Sequence, residues 1–407
     1  MSDPRDDPGD RIRRALANAL APWLAGDAPV VLAVSGGPDS TALMHAAAAC
    51  RAGALFVATV DHGLRPESAD EARAVARAAA ALGLPHATLP WEGVRPSTAI
   101  QAEARAARYR LLAAHARTVG ARLVLTGHTR DDQAETVLMR LIAGSGPAGL
   151  AGMRRERPLE PGLALARPFL DIAKVDLVAW CEAQGVGFAR DPSNADDRYG
   201  RVRLRRLLPL LAAEGFTTER FARIAERAAR DDAALAAAAD AAFRQAVSAP
   251  LSVGGRRSPV PEGEGVAPLP PPAVGGGGAA AIVPLRLDGQ ILAALPDAVA
   301  LRVLDLALDR AGGTLPRRLE RLERLVLGDL LPALRSGRAV RRTLRGLAIA
   351  ADPARRVTIR PAPPRRGDGL AAGAPDLLGK GEGSAYIGLA CADEPAAAGS
   401  RPTRPRD

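Results

Sequence analysis

The segment 30–45, VVLAVSGGPDSTALMH, constrains the fold of this chain more than any other feature of its sequence. Apolar, mostly β-branched residues lead directly into a turn with two adjacent glycines, and apolar residues at helical spacing follow it. This order predicts a strand, a glycine turn and a helix. Such a turn directs several backbone N–H groups and the positive end of a helix at one point, so it suits a phosphate group. The turn contains no lysine, which argues against the GxxxxGK[ST] loop of Walker A proteins.

The chemistry of each residue in the turn fits this use. Gly36 and Gly37 permit positive φ and close approach of a ligand. Ser35 and Ser40 carry hydroxyl donors, and the Asp39 carboxylate is suited to Mg²⁺. The alternative is a strand-to-helix turn that is capped by a Ser or Asp side chain and binds nothing.

The form SGGxDS, placed directly after a hydrophobic strand, resembles the PP-loop of the N-type ATP pyrophosphatases. Those enzymes split ATP into AMP and pyrophosphate in order to activate a carbonyl oxygen. The resemblance implies an ATP-binding site formed by Ser35, Gly36, Gly37, Pro38, Asp39 and Ser40.

The composition narrows the class of protein. A chain of 407 residues is long enough for two or three domains, and its net charge of +10 favours a polyanionic partner, nucleic acid first. Three distant cysteines, Cys50, Cys181 and Cys391, form no CxxC pair, so neither a disulfide framework nor a zinc or iron–sulfur site is indicated. The acidic N-terminus has no hydrophobic signal region, and no charge-free run of about eighteen apolar residues occurs. The sequence therefore predicts a cytoplasmic protein without a membrane segment.

Strand-like and helix-like segments alternate after the glycine turn, which predicts an α/β fold with a doubly wound parallel sheet. In such sheets ligands bind beyond the carboxyl ends of the strands. Three of these ends carry polar residues, namely Ser35 to Ser40, Asp61 to Arg65 with His62, and His128 to Asp132. We expect the three groups to converge at one edge of the sheet.

The third group, GHTRDDQAET, begins a helix whose apolar stripe consists of Ala134, Val137, Leu138, Leu141 and Ile142. On that spacing Asp132 and Glu135 share the opposite, open face one turn apart. Two carboxylates there could ligate Mg²⁺ on a pyrophosphate or receive the ammonium group of an amino acid. The alternative is that acidic residues in a first turn only complement the helix dipole.

A dense run of arginines follows in DPSNADDRYGRVRLRRLLPLL. Its members are Arg198, Arg201, Arg203, Arg205 and Arg206. Guanidinium groups bind phosphates well, so the run is a candidate contact to an RNA backbone. A solvated helix face is the alternative.

Changes of composition divide the chain into four parts. Residues 1–27 form an N-terminal extension with a helix, and residues 28–215 form the catalytic PP-loop domain. Residues 216–350 form a mainly helical, alanine- and arginine-rich region that is interrupted by a Pro/Gly-rich loop at 249–281. Residues 351–407 hold a short strand and a tail with the composition of a disordered segment.

Four separated blocks occur in the order and approximate spacing found in bacterial tRNA(Ile)-lysidine synthetases. They are VSGGPDS, VDHGLR, GHTRDDQAET followed by GSGPAGL, and DPSNADDRYGRVRLRR. The similarity covers residues 28–240, and the later helices match only in arrangement. Many family members read RN-x-[IL]-R in the arginine block, where this chain has Val202 in place of the asparagine, so the resemblance fixes the roles of Arg201 and Arg203 less firmly.

The resemblance implies a reaction in which ATP, L-lysine and the wobble cytidine of a tRNA(Ile) with a CAU anticodon give lysidine, AMP and pyrophosphate. Asp39 and Asp132 would be catalytic and would hold Mg²⁺, and Asp131 or Glu135 would orient the lysine ammonium. His62, Arg65 and His128 are further candidates for substrate contact. Basic helices beyond residue 217 would bind the tRNA, and a homodimer is one open possibility for the assembly.

Three other functions compete with this one. A tRNA thiolase of the same fold needs a cysteine persulfide or a cluster, and Cys50 lies late in the helix after the turn with no partner in the sequence. A small-molecule synthetase could use the same loop without RNA. A basic RNA-binding module with a degenerate loop would bind tRNA without forming AMP.

Overall fold

The protein is described by a computed structural model over residues 7–23, 28–50, 53–63, 68–92, 100–189, 200–248, 284–313 and 318–363. These residues divide into two compact units. The first comprises residues 7–144 and 152–225, and the second comprises residues 145–151 and 226–363. The predicted Pro/Gly-rich loop at 249–281 and the predicted tail after residue 363 lie outside the described residues.

A central sheet organises the first unit. Its strands β1 to β6 span Val30–Ala33, Leu55–Asp61, His86–Pro90, Leu123–Thr126, Glu156–Glu160 and Leu163–Ala166. Among the described residues they are ordered β3-β2-β1-β4-β6-β5, and only β5 runs antiparallel to its neighbour. The chain leaves β1 toward β2 on one side and returns to β4 on the other, which makes β1 and β4 the topological switch point. The predicted doubly wound sheet is confirmed.

Helices cover both faces of this sheet. In the first unit, helices α1 to α5, α7 and α8 span Pro8–Leu20, Pro38–Ala49, Ser68–Ala81, Ile100–Thr118, Arg130–Ile142, Lys174–Ala183 and Gly200–Ala213. Helix α6, Pro147–Leu150, belongs to the second unit, and helix α9 spans Thr218–Ala246, of which residues 218–225 belong to the first unit. Val30 and Leu32 of β1 pack in one core with α1, α2, α3 and α7, whereas Val31 and Ala33 pack on the other side with α4. All four residues of β1 are buried, as the continuous apolar run in the sequence requires for a strand with two covered faces.

The connection from β4 to α5 lies directly on the start of α2. A methyl group on Gly127 would lie 2.7 Å from the Asp39 carbonyl oxygen and 3.0 Å from the Ser40 nitrogen. Only glycine permits this approach of two backbones. The starts of the two helices that follow β1 and β4 are therefore held together at the switch point.

The second unit combines helices with a separate antiparallel sheet. Strands β7 to β11 span Val247–Ser248, Leu285–Asp288, Val340–Leu344, Leu347–Ala351 and Arg356–Pro361, in the order β7-β8-β11-β10-β9 among the described residues. Helices α10 to α13 span Gly289–Ala294, Asp297–Arg310, Leu319–Glu323 and Leu331–Ser336, with a π-helical turn at Arg324–Leu330. The short strand predicted within residues 351–407 is present as β11, whereas β8 was not predicted. Within the described part of the chain, no helix has the length and hydrophobicity needed to cross a membrane.

We expect Gly127→Ala to lower the free energy of unfolding by about 1–3 kcal/mol, because the new methyl group would overlap backbone atoms that cannot rotate away. Chemical denaturation of parent and variant measures the change. Gly187→Ala is the matched control, since a methyl group there meets no described atom within 4 Å. Equal stability of the two variants would contradict the close packing of the β4–α5 connection on α2.

Candidate active site

The glycine turn leaves the start of α2 open. Gly36 has a φ of +88°, which favours glycine, and Gly37 is the N-cap residue before Pro38. Among the described residues no side chain caps α2, so the N–H groups of its first turn keep their capacity to donate. A methyl group on Gly37 would meet no described atom within 4 Å, so the described residues leave the space beside Gly37 open. An uncapped helix start that faces open space is suited to an anion.

The two serines of the turn differ in their surroundings. The buried Ser40 hydroxyl accepts a hydrogen bond from the Ser35 N–H at 3.1 Å and donates to the Gly37 carbonyl oxygen at 3.0 Å. It therefore holds the shape of the turn, a task that the sequence did not suggest. Ser35 is exposed, and its Oγ lies 3.2 Å from Ser40 Oγ. Of the two hydroxyls, that of Ser35 is the better placed to meet a phosphate.

Asp39 carries a carboxylate that is only partly satisfied. Its Oδ2 accepts a hydrogen bond from the Lys174 ammonium at 2.8 Å, and its Oδ1 is buried with no hydrogen-bond partner among the described residues. Burial raises the pKa of Asp39, and the nearby Asp132 and Asp131 act in the same direction against the effect of Lys174. A buried carboxylate oxygen that lacks a donor fits the ligand preference of Mg²⁺.

Asp132 closes the start of α5 through a capping box. Its Oδ2 accepts from the Thr129 N–H at 2.8 Å and from the Thr129 hydroxyl at 2.9 Å. Burial by itself would raise the pKa of Asp132, but the neighbouring His128, the two hydrogen bonds from Thr129 and the charge of Lys174 lower it overall. Asp132 is therefore ionised near neutral pH. It stabilises the start of α5, as the alternative interpretation of the sequence expects, and it also lies near Asp39.

The two candidate histidines are neutral near physiological pH. Burial lowers the pKa of His128 to about 3, and its Nδ1 lies 2.9 Å from the Thr126 hydroxyl. Burial and the charge of Arg108 lower the pKa of His62, whose ring contacts Trp91 edge-on at 5.9 Å between centroids. A histidine with a pKa near 3 forms hydrogen bonds but is a weak proton acceptor near neutral pH.

The comparison with known proteins decides between the possible families of this site. A family model for the PP-loop domain matches residues 9–211. A tRNA(Ile)-lysidine synthase of Methylobacterium sp. (strain 4-46) is 51% identical over 366 residues, which cover 88% of this chain and 96% of that protein. This chain belongs to the tRNA(Ile)-lysidine synthase family. The resemblance drawn from the four sequence blocks is confirmed.

Two further similarities complete the comparison. The tRNA(Ile)-lysidine synthase of Rhodopseudomonas palustris (strain ATCC BAA-98 / CGA009) is 48% identical over 86% of this chain and 94% of its own. The solved structure of the U34-tRNA thiolase NcsA from Methanococcus maripaludis, with its [4Fe-4S] cluster, matches 53% of this chain and 77% of that chain, with 18% identity and a TM-score of 0.46.

In this member of the tRNA(Ile)-lysidine synthase family, the prediction of an open face on α5 is wrong. Glu135 is buried, and its Oε1 accepts a hydrogen bond from the Arg205 guanidinium. Helix α8 packs over α5 and brings this cation with it, an arrangement that the period of one helix cannot reveal. At the end of the predicted apolar stripe, Leu141 and Ile142 are exposed instead.

Asp131 has a structural partner as well. Its Oδ2 accepts a hydrogen bond from the backbone N–H of Lys174 at 2.8 Å, so it satisfies the first residue of α7. The Arg130 N–H donates to the Ile172 carbonyl oxygen at 3.0 Å beside it. The start of α5 is thus joined to the start of α7.

The arginine run separates into residues with different surroundings. Arg203 and Arg206 of α8 are exposed, whereas Arg205 points toward Glu135. Arg65 and Arg198 lie outside the described residues, and nothing is described of the Arg201 side chain.

Sequence reasoning missed two sets of cations at this site. Lys174 contacts Asp39. The feature of the sequence that could have indicated this contact is that Lys174 begins the helix that follows the last parallel strand. Arg108 and the buried Arg167 lie close enough to His128 to lower its pKa. Arg108 belongs to α4, whose alanine- and arginine-rich sequence gave no sign that this residue faces the site.

We expect the ionised form of Asp39 to destabilise the folded protein at neutral pH. Its folded pKa is raised, so its contribution to stability falls as the pH rises through that pKa. We expect Asp39→Asn to raise the thermal unfolding midpoint at about pH 7, and the gain to shrink toward about pH 4 as the parent carboxylate is protonated. Thermal scans at both pH values measure this. Asp176→Asn, which removes a carboxylate from the ion pair with Arg11, is the control, and a midpoint for Asp39→Asn at or below that of the parent contradicts the prediction.

Arg205→Met should lower the free energy of unfolding by about 3 kcal/mol, because it removes the cation that offsets a buried carboxylate. Adding Glu135→Gln should recover most of this loss. Urea denaturation of the two single variants and the double variant measures the coupling. Arg110→Met, which breaks an exposed pair with Glu103, should cost less than about 1 kcal/mol, and an equal cost for both arginines would contradict the buried pairing.

Proposed function

We propose that this protein ligates L-lysine to C2 of the wobble cytidine of a tRNA(Ile) with a CAU anticodon, at the expense of ATP, which yields AMP and pyrophosphate. One observation carries the proposal. In a chain that belongs to the tRNA(Ile)-lysidine synthase family, the start of α2, which no described side chain caps, lies beside an Asp39 carboxylate oxygen that has no hydrogen-bond partner among the described residues.

The reaction needs an activated oxygen, because the C2 carbonyl oxygen of cytidine is a poor leaving group. This oxygen attacks the α-phosphorus of ATP and expels pyrophosphate, which gives an adenylated cytidine. The lysine ε-amine then attacks C2, and AMP departs with the oxygen. The N–H groups after Gly36 and Gly37 bind the phosphates in the open space in front of the turn.

Asp39 and Asp132 are the proposed ligands of Mg²⁺. The donor set fits, since both groups are carboxylates, Asp39 Oδ1 accepts no hydrogen bond from the described residues, and the pKa of Asp132 is lowered so that it is ionised. When bound, the ion offsets the negative charge that develops on the departing pyrophosphate. Thr129 holds the Asp132 carboxylate in a fixed orientation through two hydrogen bonds.

Asp131 and Glu135 are the proposed contacts of the lysine ammonium. Each must exchange a present partner for the substrate, which is the Lys174 N–H for Asp131 and the Arg205 guanidinium for Glu135. His62 and His128 are the proposed hydrogen-bonding contacts of the substrate. For His128, burial lowers the pKa to about 3, so proton transfer by this residue at neutral pH is inefficient.

The tRNA is held by positive charge on the protein surface. The net charge of +10 favours association with RNA, and exposed Arg203 and Arg206 are suited to phosphate contacts that position the tRNA without reading its sequence. We propose the same phosphate contacts for Arg198 and Arg201 of this run. Arg205, the remaining candidate of the run, would have to exchange its partner Glu135 in order to contact the tRNA.

The structure weighs against sulfur transfer by the described cysteines. Burial raises the pKa of Cys181 to about 11, and the negative charge of Asp39 adds to this effect. A thiol with so high a pKa is a weak nucleophile at neutral pH. Cys50 is the partly buried C-cap residue of α2.

Incubation of the purified protein with ATP, Mg²⁺, labelled lysine and an unmodified CAU-anticodon tRNA transcript tests the proposal. We expect ATP-dependent attachment of the label to the RNA, with AMP formed in equal amount. Incorporation of sulfur would support the thiolase, and pyrophosphate release without RNA would support a small-molecule synthetase. Binding of tRNA without AMP would support an RNA-binding module.

Asp132→Asn should lower AMP formation by about 100-fold or more, because it removes one charge of the proposed magnesium pair. The amide oxygen still accepts from Thr129, so the cap of α5 and the tRNA affinity should be preserved. Single-turnover assays and filter binding measure the two effects. Asp70→Asn, in an exposed ion pair with Arg73, is the control, and turnover of Asp132→Asn equal to that of the parent would refute the role.

A further inference from the structure

Lys174 stands out among the basic residues of this chain. The sequence contains two lysines, Lys174 and Lys380, among 55 lysine and arginine residues. Lys174 is the first residue of α7, and its Nζ lies 2.8 Å from Asp39 Oδ2. A chain that uses arginine at nearly every basic position therefore carries a lysine in direct contact with its glycine turn.

The backbone of Lys174 is fixed relative to that turn. Its N–H donates to Asp131 Oδ2 at 2.8 Å, and further along α7 the Cys181 thiol donates to the Pro38 carbonyl oxygen at 3.8 Å. Leu177 of α7 packs in the same core as Leu43 of α2. The side chain, in contrast, is 45% exposed, so its amine is free to change partners while its Cα stays in place.

The turn itself contains no cation. A triphosphate that approaches the start of α2 meets the Asp39 carboxylate, which repels it unless a positive charge lies beside the two. Lys174 has this position. Its ammonium is a compact charge on a flexible stem with three donors, whereas the planar guanidinium of arginine requires a fixed fork geometry. A lysine is therefore the better group to move between a carboxylate and phosphate oxygens.

We propose that Lys174 supplies, from outside the glycine turn, the cation that the turn lacks. When ATP binds, the Lys174 ammonium leaves Asp39 and contacts the β- and γ-phosphate oxygens. The same contact would hold the pyrophosphate after the α–β bond breaks, and Asp39, once released by Lys174, would be available as a ligand for Mg²⁺. The inference rests on the proposed function in that the ligand of the turn is ATP. It adds a phosphate-binding residue from α7, outside the turn.

Nucleotide affinity tests the assignment without turnover. Equilibrium dialysis with Mg²⁺ measures the binding of ATP, pyrophosphate and AMP to the parent, Lys174→Gln, Lys174→Arg and Arg11→Gln. We expect Lys174→Gln to weaken ATP and pyrophosphate by about tenfold or more, the effect of one lost charge-assisted hydrogen bond, and to change AMP by less than about twofold. Lys174→Arg should recover only part of the affinity. Arg11→Gln removes an equal charge from the pair with Asp176 on α7 and should leave all three ligands unchanged.

The two lysines also permit a direct footprint of the whole chain. Acylation with an amine-specific reagent, read by mass spectrometry, should show Lys174 protected by ATP or pyrophosphate and not by AMP, with Lys380 as the internal reference. Equal labelling of Lys174 with and without pyrophosphate, at a concentration that dialysis shows to saturate the parent, overturns the inference. So does an equal loss of ATP and AMP affinity in Lys174→Gln, which would make the Asp39 contact structural. A parent that binds none of the three ligands overturns the proposed function together with this inference.

Discussion

The open start of α2 is the constraint on which the rest of this structure depends. A helix leaves its first N–H groups without intrahelical partners, and most proteins satisfy them with a side chain from the N-cap residue. Here the N-cap residue is Gly37, and the Ser40 hydroxyl serves the turn itself. The sheet places these donors at the switch point, and Gly127 lets the neighbouring connection press against them. The protein thus keeps a set of oriented donors for a ligand to satisfy.

The charged groups around this point have partners of several kinds. Asp39 binds an ammonium, Asp131 a helix N–H, and Asp132 the N–H and hydroxyl of Thr129. Glu135 is paired with a guanidinium from α8. Bare carboxylates so close together would repel one another and lose solvation. In the reaction that we propose, substrates would bind here by exchange of partners, which would keep the charge of the site balanced before and after binding.

Local features of the sequence predicted the fold well and the site in part. The strand, turn and helix at 30–45 follow from residues that act within a few positions of one another, so pattern alone predicts them. The surroundings of Glu135 depend on α8, which packs on α5 although it lies far along the chain. The spacing of apolar residues within α5 cannot indicate that a distant helix covers it. Lys174 was missed for the same reason, because its contact with Asp39 spans 135 positions. Strand β8 is short and alternates strictly between buried and exposed residues, which is a weak signal over four positions.

Helix α9 limits where this protein can be divided into expression fragments. The helix runs without interruption from Thr218 to Ala246 and contributes to two separate apolar clusters. Near its beginning Phe221 and Ala225 cover Val137 and Leu138, and near its end Phe243 joins the core of the second unit. A fragment that stops at residue 215 would uncover the apolar side of α5. An expression fragment of the nucleotide-binding half must therefore end inside a helix and carry at least its first two turns.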